Sequence, residues 1–303
     1  MWVDAGGKGL HEGLLKRAEK LAAGTDPGPE REPEFHWIIR EQLTELCRLF
    51  ADRDDRLVIF NLGANLGLST LKMNALAKKL LPRGNYFICA IEPDPANLHF
   101  LEKNIAQNSA HAQAFACAIA DHDGEAMFHR STHSNLGALV ASPHTDAGTR
   151  RVPIFTLPSF AKINNTGQPH FLKVDVEGGE VEVLKGAREF LAGCKPPCRM
   201  IMEVHPGSYS EERSLEKELH FLFERGWVCK YMVSAAVIRP DKFKQAGLRP
   251  FKEFTTKHHS RGIYRDFLKE QLLEFACREH IQEVPGKKSS RKIVRSILIE
   301  KEN

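Results

Sequence analysis

LVIFNLGANLGLST, residues 57–70, decides the fold. Four of its first five residues are apolar and do not alternate with polar ones, the pattern of a strand buried on both faces. Gly63, Asn65 and Gly67 follow directly, then the hydroxyls Ser69 and Thr70, so the strand ends in a glycine turn that opens a helix. Outward from this stretch, short β-rich runs alternate with helical ones. Strands are predicted at 57–62, 85–91, 113–119, 170–176, 199–204 and 227–233, with helices near 68–80, 94–108, 179–191 and 211–225. The helix at 94–108 starts with Asp94 as N-cap and Pro95 in the first turn, and sets Leu98, Leu101 and Ile105 on one face. Strands alternating with helices predict an α/β fold with a mostly parallel sheet covered on both faces.

The flanks read differently. Leu10, Leu14, Ala18 and Leu21 have helical spacing, TDPGPEREPE (25–34) breaks it with three prolines, and Phe35, Ile38, Ile39, Leu46 and Phe50 predict a second helix. The expected organisation is an N-terminal helical extension over 1–50 with a Pro-rich linker, a core domain over 51–240, and a helical, basic extension over 241–303. In the last, a helix is expected near 262–280 and a mobile end in GKKSSRKIVRSILIEKEN.

Composition bounds the function. The 303 residues are 42% hydrophobic and 27% charged with net charge +4, ordinary for a globular protein and too weakly basic to require nucleic acid. Seven cysteines, with Cys194 and Cys198 lacking a matching second pair, indicate neither a disulfide framework nor a zinc site. Reduced thiols in a cytoplasmic setting are expected. Residues 1–23 carry Asp4, Lys8 and Glu12 and do not read as a secretory signal, and no 18-residue apolar run indicates a spanning helix.

In an open α/β sheet, ligands bind beyond the carboxyl ends of the strands. The turn after 57–62 is neither the dinucleotide fingerprint, which needs glycine where Asn65 and Leu68 stand, nor a phosphate loop. AIEPDP (90–95) places Glu92 at the end of the second strand, where a carboxylate can accept two hydrogen bonds from a ribose diol. The small residues of CAIADHDG (117–124), Ala118 and Ile119 among them, suit a flat adenine, with Asp121 in reach of an exocyclic amine. FLKVDVEGGE (171–180) sets Lys173, Asp175 and Glu177 on one face of an otherwise apolar strand. Such charges are costly unless they serve a purpose.

In this order, NLGANLGLSTL, AIEPDPANLHFLEKN, ADHDGE, FLKVDVEGGEVEVLKGA and MIMEVH resemble the FkbM-type family of S-adenosylmethionine-dependent methyltransferases, over about residues 57–205. The resemblance implies the class I methyltransferase (Rossmann-like) fold, a mostly parallel seven-stranded sheet whose last strand is antiparallel. It also implies S-adenosyl-L-methionine as cofactor and O-methylation of a sugar or other small-molecule hydroxyl. By matching motif, Gly63, Asn65 and Gly67 line the methionine end of the cofactor, with Asn61, Ala64, Ser69 and Thr70 around them. Glu92, beside Pro93, holds the ribose, and Asp175 stands beside the transferable methyl. Asn61 occupies a position where the family usually has aspartate, so it keeps an acceptor, adds a donor and loses the charge.

Methyl transfer needs acceptor oxygen, methyl and sulfur in line. A hydroxyl acceptor must also lose its proton to a base or with the help of a metal. Asp175, Glu203 and His205 are the catalytic candidates. Lys173 and Glu177, with His133 and Asn135 of the polar loop 129–146, are expected toward the acceptor. A side-chain base, His205 first, is preferred to a divalent metal at Asp175 and Glu203. Two readings of other classes compete, with nucleic-acid binding through the basic tail a weaker third. A nicotinamide oxidoreductase would share the sheet and the ribose acid but lacks the third glycine; a non-catalytic binding or scaffold protein would fit a weakened site at Asn61. The basic tail, Lys287, Lys288, Arg291, Lys292 and Arg295 with Ile293, Val294, Ile297 and Leu298 interleaved, reads as a solvated helix that could touch an anionic membrane surface. No DNA or RNA partner is expected.

Overall fold

The computed structural model of the chain describes residues 32–129, 138–140, 149–235, 240–255, 260–284 and 287–302, with Lys20 and Ala23 before them. The expected helix around Leu10–Leu21 therefore lies outside the described residues, apart from Lys20.

The first half alternates as its apolar pattern dictates. Helix α1 (Pro33–Phe50) leads into β1 (Leu57–Leu62), α2 (Leu68–Leu80), β2 (Tyr86–Ile91), α3 (Pro95–Gln107) and β3 (Ala112–Phe115). Asp94 caps α3, its carboxylate accepting the Ala96 amide at 2.9 Å. The run expected as one strand at 113–119 is split. Ala116 and Cys117 turn the chain, and β4 (Ala118–Ile119) joins β5 (Gly124–His129), β6 (Ala138–Val140) and β7 (Thr149–Phe155) in a separate four-stranded sheet. Helix α4 (Leu157–Ile163), β8 (Phe171–Val174), α5 (Glu180–Ala192), β9 (Arg199–Glu203), α6 (Leu215–Phe223) and β10 (Trp227–Ser234) complete the alternating part.

The region beyond 240 departs from expectation. It holds α7 (Pro240–Gln245), the pair β11 (Lys252–Thr255) and β12 (Ser260–Tyr264), α8 (Lys269–Cys277), the pair β13 (His280–Val284) and β14 (Lys287–Arg291), and β15 (Val294–Lys301). The main sheet has nine strands in the order β11-β12-β10-β15-β9-β8-β1-β2-β3. From β3 to β10 it is the seven-stranded arrangement that the resemblance implies. β3, β2, β1, β8 and β9 run parallel, and β15, the last in sequence, is antiparallel between β9 and β10. The additional edge is the β11–β12 hairpin, paired through Met232 and Val233 of β10.

The expected mobile basic helix is thus a central strand. Ile293, Val294, Ile297, Leu298 and Ile299 are fully buried and unavailable to a membrane surface. The charged residues that flank and interrupt this run give it the look of an amphipathic helix. Its partners, however, are strands about 95 residues earlier in β9 and about 65 residues earlier in β10, a pairing that no local pattern encodes.

Both faces are covered, as side-chain alternation in β1 makes explicit. Leu57 and Ile59 pack with Ile38, Leu43, Leu46 and Phe50 of α1 and with Met73 and Ala77 of α2. Val58, Phe60 and Leu62 pack on the other side with Leu157 and Phe160 of α4 and with Val183, Leu184 and Ala187 of α5. Helix α1 is tied to the sheet by Arg199 of β9, which donates to Gln42 at 3.0 Å and to both oxygens of Glu45 at 2.7 and 2.9 Å. Among the described residues no helix is long and apolar enough to cross a membrane.

Candidate active site

A cavity of about 830 Å³ opens beyond the carboxyl ends of β1, β2, β8 and β9, within the size range of small-molecule sites. Its first wall is the turn quoted at the outset. Gly63, Ala64, Asn65 and Ser69 line the cavity, and so do Glu92 and Pro93 from the end of β2. Gly63 has φ of +73°, and a Cβ there would overlap the carbonyl oxygen of Asp175. Only glycine lets the tips of β1 and β8 approach this closely.

Asn61, Gly67 and Thr70, expected at the cofactor, stand behind this wall instead. Asn61 is fully buried and donates through Nδ2 to Thr70 Oγ1 at 2.8 Å, and among the described residues its Oδ1 has no hydrogen-bond partner. Its amide lies inside the sheet, so the loss of charge relative to the family pattern falls in the core rather than on the cavity surface. A Cβ on Gly67 would press against Leu101, which marks that glycine as the contact between the turn and α3.

Glu92 is buried, with Oε2 accepting the Asn65 amide at 2.8 Å. Its Oε1 accepts the Asp94 amide at 3.0 Å and Asn97 Nδ2 at 3.4 Å. Burial pushes its carboxyl up to about 7 against the pull of these hydrogen bonds. A carboxylate offers about four acceptor positions, so these three bonds leave about one, on Oε2, for a ligand hydroxyl. Ala118, Ile119 and Asp121 line the neighbouring part of the cavity, beside Phe128 and Ile154 of the four-stranded sheet. Asp121 is held at 2.7 Å by Lys185 and at 2.8 Å by His122. The close approach of α5 here explains a glycine in the VLKGA stretch, because a Cβ on Gly186 would strike the Ala120 carbonyl oxygen.

The opposite wall carries the charges. Lys173, Asp175, Glu177, Glu203 and His205 all line the cavity, but strand alternation accounts only for Lys173, since β8 ends at Val174. Lys173 is buried and donates to Gly63 O at 3.1 Å, with its ammonium 3.2 Å from Asp175, so it braces the two strand tips rather than reaching for an acceptor. Burial opposes ionisation of Asp175, yet the charges of Lys173 and His205 hold its pKa below the ordinary value. Glu177 follows in a left-handed turn with φ of +50°. Burial and the neighbouring Asp175 raise its carboxyl to about 7. Glu203, at the end of β9, is gripped by Lys292 at 2.6 Å and Arg295 at 3.1 Å. Burial pulls the pKa of His205 down, but its hydrogen bond to Glu180, 2.9 Å from Nδ1, wins and raises it.

These partners count against the alternative of a divalent metal. Asp175 and Glu203 already face an ammonium and, for Glu203, a guanidinium as well, which do not fit ligands of a divalent cation. Among the described residues no group of three His, Cys, Asp or Glu side chains is arranged to hold a metal ion. His133 and Asn135 lie outside the described residues.

Several wall residues escape a reading by motif. Glu32 and His36 reach the cavity from the start of α1, and Lys292 and Arg295 from the start of β15. Arg295 joins the two ends of the chain, donating to Glu32 at 2.6 Å. Arg213 lines the rim and donates to Glu182, Ser208 O and Gly178 O. The buried Glu180 and the partly buried Tyr209 stand behind His205. Glu180 reads in sequence only as a first-turn acid.

Comparison with known proteins identifies the family. The family described as "Methyltransferase FkbM domain" matches residues 61–229, more than half of the chain. Methyltransferase 1 of Beauveria bassiana (strain ARSEF 2860) is 27% identical over 192 residues, which cover 57% of this chain and 74% of that protein. Among solved structures, the methyltransferase FkbM from Methylobacillus flagellatus KT is similar with a TM-score of 0.41 and 17% identity, covering 70% of this chain and 44% of that one. The chain thus spans less than half of that structure's length. Aeropyrum pernix fibrillarin, solved with bound S-adenosyl-L-methionine, has a TM-score of 0.35 at 13% identity, covering 74% of this chain and 76% of its own.

Proposed function

The chain belongs to the methyltransferase FkbM domain family, and from that premise we propose that it is an S-adenosylmethionine-dependent O-methyltransferase acting on a hydroxyl of a small-molecule acceptor, a sugar or a similar polyol. The observation that carries this reading is Glu92, a buried carboxylate at the end of β2, on the wall of a cavity that continues to Glu177 and His205. Its remaining acceptor position suits a ribose hydroxyl, and Gly63 and Ala64 bring backbone up to the same space.

When bound, the cofactor supplies a methyl already activated on a sulfonium, whose sulfur keeps the electron pair of the broken C–S bond. The chain's own task is then to align the acceptor and remove its proton. Glu177 suits the second part best. Its carboxyl sits near 7, so it is partly ionised at neutral pH and can take the hydroxyl proton as the new O–CH3 bond forms. Asp175 ionises too readily to be an effective base, and His205 is held toward its protonated form.

Mass spectrometry after incubation with methyl-labelled S-adenosylmethionine and a panel of hydroxyl acceptors tests this. The expected result is one labelled methyl on oxygen, lost in Glu177→Gln while cofactor binding persists. Transfer exclusively to nitrogen or carbon acceptors would overturn the O-methylation reading.

A further inference from the structure

Three carboxylates surround one imidazole at the acceptor end of the cavity. Glu180, the first residue of α5, is fully buried. Its Oε1 accepts the Gly178 amide at 3.0 Å and lies 2.9 Å from His205 Nδ1, and its Oε2 accepts the Tyr209 hydroxyl at 2.9 Å. The Tyr209 oxygen in turn accepts the His205 amide at 2.8 Å. One buried carboxylate therefore holds His205 twice, directly at the ring and through Tyr209 at the backbone. The other ring nitrogen, Nε2, is 3.4 Å from Glu177 Oε2 and 3.6 Å from Glu203 Oε1.

The donors and acceptors fix the protons. Glu180 accepts from the Gly178 amide and the Tyr209 hydroxyl, and a hydrogen on Nδ1 makes His205 its third donor. A neutral ring would then turn the bare lone pair of Nε2 toward the oxygens of Glu177 and Glu203. A proton on Nε2 instead sets a positive charge 3.4 and 3.6 Å from those oxygens. Resting on the methyl-transfer reading only for the identity of the cavity, we infer that Glu180 is a positioning residue, which fixes His205 as an imidazolium with its Nε2–H directed at Glu177 and Glu203. His205 is then a fixed positive charge beside the proton-accepting carboxylate, and not itself the base.

The other charges near the ring do not cancel this arrangement. Lys292 and Arg295 oppose a further positive charge, but both are committed to Glu203, and Arg295 to Glu32 as well. Asp175 favours the imidazolium and is shared with Lys173. Arg213 is engaged by Glu182 and by the carbonyls of Gly178 and Ser208. The consequence falls on Glu177. An adjacent imidazolium favours its ionised form, which keeps a carboxyl otherwise pushed upward by burial and Asp175 able to act at neutral pH.

Nitrogen-15 spectra of EDTA-treated, 15N-histidine-labelled protein at pH 7.5 test this without any acceptor, with His205→Gln assigning the signal. In the wild type, both ring nitrogens of His205 are expected to carry protons. In Glu180→Gln, the neutral ring is expected to predominate, because burial then opposes the charge without the partner at Nδ1. Tyr209→Phe, which keeps the carboxylate, is expected to retain the imidazolium signature. A neutral His205 in the wild type, or an imidazolium that persists in folded Glu180→Gln, would overturn the inference. If Glu180→Gln does not fold, the wild-type and Tyr209→Phe spectra decide, and a neutral ring in either counts against it. Calorimetry of the same wild-type sample with S-adenosylmethionine keeps the two questions apart, because absent binding contradicts the methyl-transfer reading and leaves the ring signature standing.

Discussion

The two ends of the cavity are built in opposite ways. The end at Gly63 and Glu92 comes from one stretch of about 40 residues, in which a strand, a glycine turn, a helix and a second strand follow one another. The end at Glu177, Glu203 and His205 is assembled from segments as distant as Glu32 and Arg295, 263 positions apart. The first is fixed by local backbone geometry and the second by long-range strand pairing, so the same kind of substitution should fail in different ways at each.

The largest effect is expected from removing residues 292–303. That deletion takes away β15, which sits between β9 and β10 and buries Ile297, Leu298 and Ile299. No cooperative melting transition by circular dichroism is expected; a dispensable tail would leave the transition intact. Next is Gly63→Ala, which forces a Cβ into the Asp175 carbonyl at a positive φ. A destabilisation of about 3 kcal/mol or more is expected in denaturant titration.

Arg295→Ala should cost less, about 2 kcal/mol. It strips a cation from Glu203 and Glu32, but the side chain is 17% exposed, so water and Lys292 soften the loss relative to a fully buried pair. Cofactor affinity in this variant should stay within about twofold, because Arg295 belongs to the other end. A tenfold loss would show that the two ends are coupled.

Smaller and pH-dependent effects come from Glu92 and Glu177, whose carboxyls sit near 7 against an ordinary 4.5. A raised pKa means that the folded chain binds these protons more tightly than the unfolded chain. The stability they contribute is full below pH 4.5 and is lost as pH rises toward 7. For buried Glu92 the loss is roughly 2 kcal/mol over that window, measurable as the difference between wild type and Glu92→Gln in unfolding at stepped pH. Cofactor affinity should run the other way. Ribose hydroxyls donate to the ionised form, so binding is expected to tighten a fewfold from pH 6 to pH 8, and to lose that dependence in Glu92→Gln.

How much of this could be read from the sequence divides along the same line. The strand, turn and helix from Leu57 to Leu80, the Asp94 cap and the position of Glu92 follow from periodicity and turn chemistry, because their partners are close in sequence. Asn61 and Thr70 were legible as part of the motif but not as core residues, since whether a side chain at a strand end faces the cavity or the interior depends on the packing of the neighbouring helix. The acceptor end was legible only as a set of charged residues. That Lys173 braces Gly63, that Lys292 and Arg295 hold Glu203, and that Glu180 stands behind His205 are consequences of the register of β8, β9 and β15. The basic tail was the furthest from its appearance, because a strand whose two partners are remote has no local signal to oppose a helical reading.

The most direct test of the account is a calorimetric titration of the wild type and Glu92→Ala with S-adenosylmethionine at pH 8. The account predicts one site per chain in the wild type and an affinity at least about tenfold weaker in the folded variant, since charge-assisted hydrogen bonds of about 1.5–3 kcal/mol are removed from the ribose. Equal affinity in both proteins, or no binding by the wild type, would contradict it.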